Sequence, residues 1–61
     1  MSKLMQLYLD ELTNDAEQLG ILKTELEQNW SKEVRSVLER DLQYYQRSVP
    51  SIRRMIETIS S

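Results

Sequence analysis

The sequence predicts an all-α protein: an antiparallel helical hairpin of two long arms, the second kinked at Pro50, dimerising into a helical bundle. Three observations carry that expectation. The apolar residues recur with a helical period and not an alternating one. The two halves of the chain carry apolar seams that are out of phase, so something between them must reset the register. Finally, 61 residues with no cysteine make one small domain, over 1–61, which lacks disulfides and must rely on helix packing and association.

The first arm is read over 3–28. Met5, Leu12, Leu19 and Leu26 sit seven apart, with Tyr8, Asp15 and Leu22 at the intervening seam positions. Only Asp15 breaks the stripe, and Ala16 beside it is expected to take its place. Two features question the arm's continuity. Gly20 costs about 1 kcal/mol relative to alanine in a helix interior. Asn14 followed by Glu17 forms a capping box, so two shorter helices are the alternative to one.

The second arm is read over 32–59. Leu38, Leu42, Tyr45, Val49, Ile52, Ile56 and Ile59 form an unbroken seam three heptads long. Extending the first seam by sevens instead reaches Glu33, Arg40 and Arg47, none of them apolar. The break therefore belongs near Gln28-Asn29-Trp30-Ser31, with Ser31 as N-cap of the new helix and Glu33 in its first turn. A connection that short makes the arms antiparallel neighbours. Pro50 removes one backbone bond, but it takes an outward position and the seam continues through it in phase. A kinked continuous helix is preferred to a new helix starting at Ser48.

Composition narrows the function. With no histidine, no cysteine and a single glycine, the usual general base, the usual metal ligands and a phosphate-cradling loop are missing together. The carboxylates Asp10, Glu11, Asp15 and Glu17 lack a calcium loop's alternating ligands, and a two-arm hairpin offers them no concave pocket. An enzyme, a cofactor, a metal and a small-molecule substrate are not expected. No leader or spanning segment is read, and neither arm joins a basic polar face to a free apolar one, so a membrane partner is not expected either. The cytoplasm is the default location. The net charge of −2 is unevenly spread. Residues 1–30 hold two lysines against six carboxylates, net −4, and residues 31–61 hold six cations against four, net +2. An acidic and a basic half suit segments that lie against each other, within or between chains.

The segment Ala16-Glu17-Gln18-Leu19-Gly20-Ile21-Leu22-Lys23-Thr24-Glu25-Leu26 resembles the core of a helix-turn-helix DNA-binding unit. Ala16, Leu19, Gly20, Ile21 and Leu26 stand at matching spacings, and Trp30 would close the small core. The resemblance implies a turn at Gly20 and a DNA-binding regulator using residues 16–30, which is the alternative function. The reading helix it implies carries Glu25, Glu27 and Gln28 with only Lys23 basic, and an acidic face works against phosphate attraction. If nucleic acid binds, the arginines of the second arm are the better contacts.

What a single hairpin leaves unused is more informative. Outside the seams remain Leu4, Leu7, Leu9, Ile21 and Trp30 in the first half, and Val34, Val37, Tyr44 and Met55 in the second. Such a surplus, rich in types that dominate binding interfaces, points to a non-catalytic protein–protein interaction module. Its role would be that of regulator, adaptor or subunit of a larger assembly. The candidate contacts are Leu4, Leu7, Leu9, Trp30, Val37, Tyr44, Arg47, Arg54 and Met55. The expected partner is a second copy, a larger protein, or both.

Overall fold

The computed structural model describes residues 2–61. It folds into two α-helices, α1 over Lys3–Glu25 and α2 over Lys32–Ser60, packed along their length as a hairpin. The Cα trace measures 45 × 14 × 13 Å, and its long axis matches the roughly 43 Å rise of α2. Each helix starts on a serine. Ser2 Oγ accepts from Met5 N at 3.0 Å and Ser31 Oγ accepts from Val34 N at 3.3 Å, satisfying a donor that the first turn leaves free.

Both seams face inward as the spacing requires. Leu22, Val49 and Ile52 are buried, and Met5, Tyr8, Leu12, Leu19, Leu26, Leu38, Leu42, Tyr45, Ile56 and Ile59 are half-buried. The expectation for Asp15 needs correcting. Asp15 is itself buried, while Ala16 is exposed. Ser48 Oγ on the opposite helix donates to Asp15 Oδ2 at 2.6 Å, which meets the carboxylate's need for a donor and lets it keep its seam position.

α1 is one helix through Asn14 and Gly20. Asn14 does not cap a second helix; its Nδ2 leans toward Asp15 Oδ1 at 3.5 Å. α2 is continuous through Pro50. Proline at 50 leaves the Gln46 carbonyl without its helical donor, and both residues stand on the exposed side where water serves. The first arm ends at Glu25, three residues before the sequence suggested. Glu27 N and Gln28 N turn back onto the carbonyls of Thr24 and Glu25 at 3.1 and 3.0 Å, tightening the last turn into the connection. Side chains from beyond the turn then hold it. Trp30 Nε1 donates to the Glu25 carbonyl at 2.6 Å, and the Arg35 guanidinium donates to the carbonyls of Leu26 and Gln28 at 3.2 and 2.9 Å.

Candidate protein-interaction face

The interior of this hairpin is thin. Leu22, Val49 and Ile52 keep 8, 9 and 6% of their surface exposed, and among the described residues no side chain is fully enclosed. The chain exposes 4863 Å², against about 4,200 Å² from the scaling for a compact monomer of this mass.

The apolar residues left outside are not scattered. Lettering the seams in the coiled-coil manner makes Met5, Leu12, Leu19 and Leu26 the a positions of α1, and Leu42, Val49 and Ile56 those of α2. On that lettering Leu4, Val34 and Met55 occupy g, and Leu7, Ile21, Val37 and Tyr44 occupy c. These seven are the exposed large apolar residues of the two helices, and none falls on b, e or f. Because the helices run in opposite directions, their g sides lie on the same side of the plane through both axes. A shallow groove between the helices is accordingly lined by Tyr8 and Glu11 from α1 and by Tyr44, Ser48, Ile52 and Met55 from α2. The free apolar residues thus share one broad face of the hairpin. The opposite face, built from b and e positions such as Gln6, Thr13, Lys23, Glu39, Gln46 and Arg53, is mostly polar, with Leu9, Ala16, Gly20 and Pro50 its non-polar members.

Most of the residues singled out from the sequence meet here. Leu4, Leu7, Val37, Tyr44 and Met55 lie on the face and are exposed. Tyr44, at 63% the most exposed of them, stands edge-on to the ring of the seam residue Tyr45, with centroids 5.1 Å apart, a favourable aromatic geometry. Leu9 does not join them; its e position puts it on the other flank, half-buried. Trp30 sits in the connection, beyond the end of the face, with its indole N–H engaged. Arg47 and Arg54 occupy f positions on the outer edge of α2, both exposed, and Arg47 with Arg40 also reaches the lining of the groove. Ile21 and Val34 belong to the face although neither was among the chosen contacts. The turn implied by the helix-turn-helix resemblance is not formed, since Gly20 lies within α1 and residues 16–25 are one helical stretch.

Charge borders the face unequally. Along the outer edge of α1 run Lys3, Asp10, Glu17 and Thr24, and along that of α2 run Glu33, Arg40, Arg47 and Arg54. The only ion pair within 4 Å among the described residues is Arg40 Nε to Asp41 Oδ1 at 3.9 Å, between neighbours on α2. The acidic and basic halves therefore lie side by side without an ion pair between α1 and α2. Compared with known proteins, the chain matches no family model, no curated protein and no solved structure.

Proposed function

We propose that this chain is a non-catalytic interaction module that works by packing helix faces, with a second copy of itself as its first partner. One observation carries the reading: all seven exposed large apolar residues of the helices lie on one flank, above an interior with no fully enclosed side chain. Exposed apolar residues scattered singly need no explanation, but seven on one flank beside a thin core call for a cover, even with polar residues such as Glu11, Gln18, Asp41 and Ser51 between them. The role built on it is that of a regulator, an adaptor or a subunit of a larger assembly.

Concentration-dependent unfolding tests this reading. A partner that binds only the folded chain raises its melting temperature by mass action, so the midpoint should climb steadily from micromolar to millimolar protein. Leu7→Glu, at 61% exposure on the free face, should flatten that dependence, whereas Glu39→Ala on the polar face should not. A midpoint independent of concentration in the unaltered chain would remove self-association. Reproducible selection of one DNA site, lost on Lys23→Glu, would replace the reading with nucleic-acid recognition.

A further inference from the structure

Two hairpins covering each other's apolar face can be related in two ways. If the twofold axis is parallel to the helices, α1 of one copy packs on α2 of the other, and both connections lie at the same end. If the axis crosses the helices, α1 packs on α1 and α2 on α2, with the connections at opposite ends. The size of the face permits either. At 45 Å long and two helix diameters wide, about 20 Å, it matches the roughly 800 Å² per partner of a standard interface.

The charges separate the two. We infer that the occupant of the apolar face is a second copy related by a twofold axis parallel to the helices, with the acidic edge of α1 against the basic edge of the partner's α2. This rests on the self-association proposed above and adds its geometry. In a helix pair whose contact runs along g and c, the f positions border it on the outside. Those f positions carry Lys3, Asp10 and Glu17 on α1 and Glu33, Arg40, Arg47 and Arg54 on α2, net −1 and +2, while Glu11, Glu25 and Asp41 stand at g within the contact.

Level along the bundle decides whether they meet. The Asp15–Ser48 hydrogen bond fixes the relative height of the two helices. Counting from it at 1.5 Å per residue, Asp10 and Arg54 rise about 8 and 9 Å toward the free ends. Glu17 and Arg47 descend about 3 and 1.5 Å toward the connection. A twofold axis parallel to the helices leaves every residue at its own height. Each edge of the dimer then sets Asp10 against the partner's arginine at 54 and Glu17 against the partner's at 47. The same rule brings Leu7 level with Met55 of the other copy, and Ile21 between the levels of Tyr44 and Val37. The crossed axis instead brings the α1 carboxylates toward carboxylates and the α2 arginines toward arginines, which repel where they meet, with Lys3 and Glu33 as the exceptions at the ends of the edges.

Two measurements on the full chain test the arrangement. Because the chain has no cysteine, Asn29→Cys carries a single spin label at the connection. Dipolar spectroscopy on the associated protein should give an interspin distance below about 25 Å, two to three helix diameters including label linkers. A distance near the 45 Å length of the hairpin would overturn the parallel axis while keeping self-association. A chain that sediments as a monomer and gives no dipolar signal would overturn both. Glu17→Arg and Arg47→Glu should each weaken self-association about 5- to 30-fold, two exposed pairs being lost per dimer. An equimolar mixture of the two variants should recover the native affinity, because the mixed dimer again opposes unlike charges on both edges. Glu17→Arg tightening association would overturn the arrangement, since it would be relieving repulsion between like edges.

Discussion

Asp15 is a carboxylate at a seam position where every other member of the first arm's stripe is apolar. It is 5% exposed, with Ser48 Oγ 2.6 Å away as its donor across the helix pair. Replacing it by leucine restores an unbroken seam. Burying a leucine contributes about 1.5–3 kcal/mol, and the desolvation of a buried carboxylate disappears with the charge. Against that stands one hydrogen bond to a charged group, worth about 1.5–3 kcal/mol. The freed serine has another acceptor. Thr13, Thr24, Thr58 and Ser60 all donate to the carbonyl four residues earlier, and Ser48 can do the same to Tyr44. Asp15→Leu is therefore expected to stabilise the hairpin by about 1–3 kcal/mol, at the common end of the range for such replacements. In a chain of this size that raises the midpoint by about 4–8 °C per kcal/mol, followed by circular dichroism at one fixed protein concentration. Asp15→Ala, which loses the bond without filling the space, should fall below the unaltered chain. If Asp15→Leu melted lower than the native protein, the carboxylate–serine contact would outweigh leucine burial and the reasoning would fail.

Three other substitutions probe separate links. Gly20→Ala should add about 1 kcal/mol, read as a higher melting midpoint, because a Cβ there meets nothing within 4 Å. Pro50→Ala restores a donor for the Gln46 carbonyl in a continuous helix and should stabilise by about 1–3 kcal/mol, with new amide protection at residue 50 in hydrogen exchange. Arg35→Ala removes both side-chain donors to the connection and should cost about 1–2 kcal/mol; Arg35→Lys should recover only part of the lost midpoint, since an ammonium cannot reproduce the fork.

The seams were legible because helical periodicity is a repeated signal, in which Leu38 to Ile59 reinforce one another. Ser31 was legible as a start because a serine cap acts on its own neighbours. The Asp15–Ser48 contact was not, because it joins residues 33 apart, and a local reading treats a polar seam position as a gap. Arg35 escaped for a similar reason: its partners are carbonyls, which carry no signature in side-chain sequence. The early end of α1 coincides with the same clamp, which takes the carbonyls of Leu26 and Gln28 that a longer helix would use internally. The interaction face was half legible. The surplus apolar residues stand out one by one in the sequence, whereas which of them stay exposed, Ile21 and Val34 included and Leu9 not, is settled by packing.

Sedimentation equilibrium of the full chain, from micromolar to millimolar, tests the central claim most directly. The account predicts a mass approaching twice 7.3 kDa as concentration rises, with Leu7→Glu returning it toward the single-chain value. A mass that stays at 7.3 kDa throughout that range, with Leu7→Glu indistinguishable from the unaltered chain, would contradict it.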